Sequence, residues 1–266
     1  MTSRQSREST KPSVTRSAVV TGGAAGIGRA IAEHLLLEGY GVAIVDKDEV
    51  GLAATLEALG DRGKLEGLIA DVSVPSTAAR IADIAEGLGD LIVWVNNAGY
   101  NARGRIDEIT EADFSLAVGV LFGGVFWGTA EAARRMLARG AGSIVNLASV
   151  QAYVGVPGSA AYAGCKGAVV ALTRQVGAEL AGTGVRCNGV APGLIATELV
   201  TQLREDAIDT ETIEKRFADL TPIGREGTPA DIAQAVLFLA DDVRSGFMTG
   251  QVLVVDGAVT TLCRGY

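Results

Sequence analysis

The sequence predicts an α/β fold, a doubly wound parallel sheet of about seven strands flanked by helices in a single domain. Three observations predict it. Short β-branched runs alternate with longer helical patterns, the rhythm of parallel strands joined by crossover helices. The strand candidates are apolar along most of their length, as expected of strands covered on both faces. The first of them runs directly into a glycine-rich turn and a helix, Thr21-Gly22-Gly23-Ala24-Ala25-Gly26-Ile27-Gly28.

Taken in order, strands are expected at Ala18–Thr21, Val42–Val45, Leu65–Ala70, Leu91–Val95, Ser143–Leu147, Arg186–Val190 and Gln251–Val255. Helices are expected between them, near Ile27–Glu38, Val50–Leu59, Thr77–Gly87, Glu111–Arg139, Ser159–Leu180 and Pro229–Leu239. Two helix starts carry their own signals. Thr110 with Asp113 resembles a capping box, and Thr228-Pro229-Ala230-Asp231 offers a cap, a proline at the first helical position and an early acid. Residues 1–15 hold Ser, Thr and scattered basic residues without an apolar run, and are expected to be a disordered tail rather than a signal peptide. Residues 16–266 are then expected to form a single domain. The polar stretch around 194–225 breaks the strand–helix rhythm and reads as a substrate flap.

Composition narrows the function classes. A formal charge of −8 argues against nucleic acid or an anionic membrane as partner. No run of 18 uninterrupted apolar residues is present, so no membrane span is expected and the location is read as cytoplasmic. The three cysteines, Cys165, Cys187 and Cys263, have neither metal spacing nor disulfide density, which fits a reducing compartment. With one histidine, His34, a catalytic histidine or a multi-histidine metal site is not expected, and no metal is assigned.

Chemistry-bearing residues fall at the ends of the strands. Gly22, Gly26 and Gly28 would let the backbone turn tightly against a ligand, and the helix opening at Ile27 would offer free N–H groups to a pyrophosphate. Asp46 ends the second strand, eighteen residues beyond Gly28, where a carboxylate accepts from ribose hydroxyls and repels a 2′-phosphate. This points to NAD over NADP, with Lys47 a partial offset. Asp71 and Val72 follow the third strand and would reach the adenine. Asn96-Asn97-Ala98-Gly99 ends the fourth strand, where small and amide residues suit close approach to a ligand in the crevice of an open sheet. Tyr162 and Lys166 stand four residues apart on a predicted helix, hence on one face. An ammonium beside a phenol favours the phenolate, and bringing a tyrosine from about 10 to near 7 takes roughly 4 kcal/mol. Such a phenol exchanges protons with an alcohol or carbonyl oxygen at neutral pH.

Thr-Gly-x-x-x-Gly-x-Gly at 21–28, Asn-Asn-Ala-Gly at 96–99, Ser149, and Tyr-x-x-x-Lys at 162–166 together resemble the short-chain dehydrogenase/reductases of the classical length group. The likeness runs from about Ser17 to Val259 and includes Ala191-Pro192-Gly193-Leu194-Ile195-Ala196-Thr197, Thr249-Gly250 and Val255-Asp256-Gly257. The resemblance implies a Rossmann-type sheet with strand order 3-2-1-4-5-6-7. It implies Tyr162 as general acid/base, Lys166 binding the nicotinamide ribose and tuning the tyrosine, and Ser149 holding the substrate oxygen. It also implies cofactor contacts from Asn97, Gly99, Pro192, Gly193, Ile195 and Thr197. The reaction would be hydride transfer between NAD(H) and a secondary alcohol or ketone. Tyr100, Asn101, Arg103, Gln151, Tyr153 and Leu194 are candidates for the substrate wall, and Cys165 is expected to point away from it. A homotetramer or homodimer is implied, with helices 111–139 and 159–180 pairing across subunits and Val125, Phe126, Ala130 and Ala133 as the candidate apolar face.

One position departs from the family pattern. Leu121, in Leu121-Phe122-Gly123-Gly124-Val125-Phe126, stands where the family has an asparagine that helps hold a relay water. The expectation is an active enzyme with an altered proton relay. The alternative is a catalytically weak NAD-binding sensor or scaffold protein of the same fold.

Overall fold

The structure, a computed structural model, describes residues 15–197 and 221–262. Most of the 194–225 stretch, nearly all of the N-terminal tail, and Cys263 therefore lie outside the described residues. One sheet organises the rest. Its strands are β1 (Arg16–Thr21), β2 (Gly41–Asp46), β3 (Leu65–Ile69), β4 (Asp90–Asn96), β5 (Gly142–Leu147), β6 (Val185–Pro192) and β7 (Val252–Val255). All six pairings are parallel, in the order β3-β2-β1-β4-β5-β6-β7. Fold class and strand order are those expected from the sequence.

Helices α1 (Gly26–Leu37), α2 (Glu49–Leu59) and α7 (Pro229–Ala240) cover one face. On the other lie α3 (Ser76–Leu88), α5 (Gly124–Arg139) and α6 (Ala160–Glu179). Residues alternate between these two cores along each central strand, Ala18 and Val20 on one side and Val19 on the other. That is why these strands are continuously apolar rather than alternating. Both predicted caps form. Thr110 accepts from the Asp113 N–H at 3.1 Å, and Thr228 with Asp231 makes a reciprocal capping box at the start of α7. Arg225 adds a bidentate pair to Asp231 at 2.8 and 2.9 Å, and with the capping bonds it holds that carboxyl far below the usual range.

The predicted helix 111–139 is continuous in direction but not in winding. α4 (Glu111–Ala117) passes through a π-helical turn, Val118–Gly123, into α5. One extra residue in that turn shifts the face each later side chain presents. Val125 accordingly packs inward on Val169 and Val170, and Ala133 packs on the sheet, while Phe126 and Trp127 are exposed and meet edge-on. The residues read from the sequence as one apolar face are thus divided between core and surface. By length and composition the 111–139 helix is apolar enough to cross a membrane, but half of its most apolar 18-residue stretch is buried in this fold, and the helix packs against β4, β5 and α6.

Beneath the sheet's carboxyl end lies a fully buried polar chain. The Trp94 indole donates to Asn96 Oδ1 at 2.8 Å, and the Asn96 amide donates to Thr129 (3.0 Å) and Asn146 (2.8 Å). The Asn146 amide in turn donates to Thr173 at 3.1 Å. The chain ties β4 and β5 to α5 and α6, and in so dry a setting an unpaired member is costly. Gly128 of α5 makes it possible, because a Cβ there would collide with Asn96 Oδ1 and lie 2.9 Å from the Trp94 indole nitrogen. Gly128→Ala, which in an exposed helix would gain close to 1 kcal/mol, is expected to cost roughly 1–3 kcal/mol here. Chemical denaturation of the two proteins measures the difference.

Candidate active site

The crevice opens where β1 and β4 lie side by side while their crossovers leave to opposite faces, the switch point at which open α/β sheets bind ligands. Thr21 closes β1 and Asn97 follows β4. The Asn97 amide donates to the carbonyls of Thr21 (2.9 Å) and Gly22 (3.0 Å), and Thr21 Oγ1 accepts from the N–H groups of Asn97 (3.0 Å) and Ala98 (2.9 Å). Gly22 sits at φ +68, and a Cβ on it would lie 2.7 Å from Ala98 Cα. A Cβ on Gly28 would collide with the Gly22 carbonyl. Only glycine fits either place.

α1 begins at Gly26 with no side-chain cap and no acidic residue in its first turn. Its end therefore offers backbone N–H groups and the positive end of the helix dipole to an anion. Asp46 fixes the loop from the side, accepting from Ala24 N and Asp48 N, each at 3.0 Å. Each oxygen keeps a lone pair for a further donor. A glycine cradle, an open helix end and a carboxylate at the end of β2 fit the pyrophosphate and ribose of a dinucleotide. Asp71 accepts from Ser73 N at 2.8 Å, which holds its carboxyl below the usual range, and Val72 beside it packs on Gly124.

Ser149, Tyr162 and Lys166 converge at the end of β5. Ser149 is buried and accepts from Gln151 N at 3.2 Å as the cap of a short 3-10 turn, Val150–Ala152, which packs on α6. Lys166 is 4 % exposed, donates to the Leu147 carbonyl at 2.7 Å, and stands 5.7 Å from the centre of the Tyr162 ring. Burial lowers the lysine to about 8. The tyrosine differs from expectation. Burial pushes its phenol up, and the hydrogen bond with Ser149 only partly opposes this. The lysine tips its charge toward the Leu147 carbonyl, and desolvation outweighs attraction in the chain by itself.

The π turn places Leu121 against this pair. The side chain is fully buried, and its Cδ2 comes within 3.1 Å of where a Gly99 Cβ would stand, next to Lys166 Nζ. Leu121 packs with Ala117, Ala161, Cys165 and the rings of Tyr100 and Tyr162, so the Cys165 thiol belongs to an apolar cluster. Of the remaining sequence candidates, Pro192 and Ile195 are buried, while Gly193, Leu194 and Thr197 are half-buried at the end of β6. A shallow cleft connects Thr197 and Ala196 with Gly26 and Arg29 of α1. Asn101 and Gln151 are half-buried, whereas Tyr153 and Arg103 are exposed. Two partners escaped the sequence reading. Thr21 Oγ1 is the hub of the β1–β4 contact, signalled only by its place before the glycines. The Leu147 carbonyl that anchors Lys166 had no signal, because any residue supplies one.

The buried lysine makes stability depend on pH. The native ammonium releases its proton near pH 8 and the unfolded one only near 10.5, so between these values the unfolded chain holds more protons. Stability contributed by this group therefore rises with pH across that window. Wild type is expected to gain stability relative to Lys166→Met as pH rises from 8 toward 10.5, as read by thermal melts at successive pH values.

A family model described as Enoyl-(Acyl carrier protein) reductase matches residues 22–260. The chain is 41% identical to 2-(S)-hydroxypropyl-CoM dehydrogenase 3 of Xanthobacter autotrophicus, covering 91% of this chain and 96% of the relative. It is 38% identical to galactitol 2-dehydrogenase (L-tagatose-forming) of Cereibacter sphaeroides, over 91% and 94% of the two chains. A crystal structure of a point variant of actinorhodin polyketide ketoreductase with NADPH superposes with a TM-score of 0.88 at 33% identity, over 93% of this chain and 98% of that one. These matches, in a parallel seven-stranded sheet with its glycine cradle at the switch point, establish that the chain belongs to the short-chain dehydrogenase/reductase family.

Proposed function

We propose that this oxidoreductase moves a hydride between NAD(H) and a secondary alcohol or ketone, with Ser149, Tyr162 and Lys166 as its catalytic residues. The observation that carries the reading is the meeting of these three at one strand end. There the Ser149–Tyr162 hydrogen bond and the 5.7 Å approach of Lys166 to the ring leave one polar centre in an apolar wall.

In alcohol oxidation Ser149 holds the substrate oxygen and Tyr162 takes its proton; in reduction Tyr162 returns it. The nicotinamide, when bound, accepts or gives the hydride. Lys166 holds ribose hydroxyls and supplies positive charge to a phenol that burial alone would keep protonated. Gly22, Gly26, Ile27 and Gly28 cradle the pyrophosphate. Asp71 and Val72 border the adenine, and Asn97, Gly99, Pro192, Gly193, Ile195 and Thr197 border the nicotinamide half. The ketoreductase neighbour carries NADPH, so the choice of NAD rests on Asp46. Its carboxylate, already fixed by Ala24 and Asp48, would face a 2′-phosphate with like charge. Leu121 offers no hydrogen bond near Lys166, so a relay of protons to solvent there would use a water arrangement other than one held by an asparagine, or run poorly. The reading includes a cytoplasmic enzyme that assembles as a homotetramer or homodimer, supported by the exposed Phe114, Leu116, Phe126 and Trp127.

Tyr162→Phe is expected to lower kcat/KM by roughly 10²- to 10⁴-fold while NAD still binds. Absorbance of the reduced cofactor on a panel of secondary alcohols measures the loss, and unimpaired turnover would overturn the assignment. Asp46→Ser is expected to raise the NADP-to-NAD ratio of kcat/KM by about 10-fold or more, since it removes a full negative charge from the ribose site.

A further inference from the structure

Two polar atoms on the elements that carry Ser149 and Tyr162 have no hydrogen-bond partner among the described residues. Gln151 Oε1 and Ser159 Oγ are both buried and make no hydrogen bond, although nearly all buried polar groups in folded proteins do. Each belongs to an element that carries one member of the trio. Gln151 leaves the same 3-10 turn whose cap is Ser149, and its own N–H donates to the Ser149 oxygen at 3.2 Å. Ser159 lies one turn before Tyr162 at the start of α6, is 1 % exposed, and leaves its helix without a side-chain cap. An isolated β-bridge from Ser159 to Gly104 brings the loop after β4, with Tyr100, over the same place.

Charge decides what these atoms accept. Among the described residues the buried cations are Lys166 and Arg186. Lys166 donates to Leu147, while Arg186 is bonded to Leu239, Ser245 and Met248 away from this centre. Arg103, the one cation among the sequence candidates for the substrate wall, is exposed. Among the described residues no buried cation is left to pair with a carboxylate or phosphate, so the unpaired groups call for a neutral hydrogen-bonding partner. A hydroxyl donates and accepts, and so pairs with either edge of the Gln151 carboxamide and with the serine.

We infer that Gln151 is a specificity group selecting a neutral substrate with a second hydroxyl close to the reacting carbon, the class of vicinal diols and α-hydroxy ketones. The inference rests on the oxidoreductase reading above and narrows its substrate. Because the carboxamide and the Ser149 hydroxyl leave one short turn and its cap, they address oxygens on neighbouring carbons of one small molecule. In oxidation of a diol Tyr162 would take the O–H proton, and a bound NAD⁺ would supply the acceptor for the C–H hydride. A C=O bond forms, and the second hydroxyl stays on Gln151. An alcohol lacking that hydroxyl leaves the carboxamide buried and unpaired, the situation in which sites discriminate most strongly.

The test compares 2,3-butanediol with 2-butanol, and cyclohexane-1,2-diol with cyclohexanol, using the full chain and NAD. Wild type is expected to favour each diol in kcat/KM by roughly 10- to 100-fold. Gln151→Met and Gln151→Leu are expected to bring both ratios close to one. A ratio that persists in variants melting at the wild-type temperature overturns the inference. If both apolar variants melt early, Gln151→Asn decides, because its shorter amide lowers the ratio if the contact exists and preserves it if not. Equal turnover of diols and simple alcohols by wild type overturns this inference alone. No turnover of any of the four with NAD bound overturns the parent reading, and this one falls with it.

Discussion

Asn97 and Thr21 hold the ends of β1 and β4 together at the point where the sheet divides. The Asn97 amide spans two consecutive carbonyls of the turn after β1, and the Thr21 hydroxyl returns the contact to two N–H groups after β4. Strand pairing stops there, so without these bonds four backbone groups would face a crevice unpaired. The same contact sets the height of the glycine loop. Gly22 must turn at positive φ and Gly28 must lie directly on it, which brings the uncapped end of α1 to the mouth of the crevice. The cradle, the Asp46 contact to Ala24 and the approach of Gly99 to Lys166 are all measured from this fixed edge.

The other half of the site is positioned by burial rather than by a loop. α6 carries Tyr162 and Lys166 one turn apart, and its second half is locked through Thr173 into the buried chain running to Asn146, Asn96 and Trp94. That chain makes the register of α6 against β4 and β5 a matter of hydrogen bonds as well as packing, since a slide of the helix would break bonds that no water could replace. Lys166 extends the link to Leu147, the last residue of β5, and so ties the helix that carries Tyr162 to the strand that leads into Ser149.

Burial also sets the electrostatic problem of the site. It raises the phenol and lowers the ammonium, so each is shifted toward its neutral form. Leu121 sharpens this, because the side chain that the π turn sets close to Lys166 is apolar and cannot hydrogen-bond. Gln151 Oε1 and Ser159 Oγ add two buried polar atoms without a hydrogen-bond partner among the described residues.

The sequence by itself determined the sheet, its strand order through the family resemblance, the glycine loop, the caps at Thr110 and Thr228, and the candidates Ser149, Tyr162 and Lys166 that the fold brings together. These were legible because each is a local pattern: apolar runs, glycines after a strand, a cap three residues before an acid, a tyrosine and lysine one turn apart. Tertiary structure alone decided the rest. The π turn divides Val125 and Phe126 between core and surface, and its extra residue leaves no mark in the apolar pattern of helix 111–139. The direction of the Tyr162 shift followed from how much water its neighbours exclude, which the spacing to Lys166 does not encode. Which polar atoms remain unpaired was likewise invisible, because it depends on every surrounding atom at once, and a sequence records only neighbours along the chain.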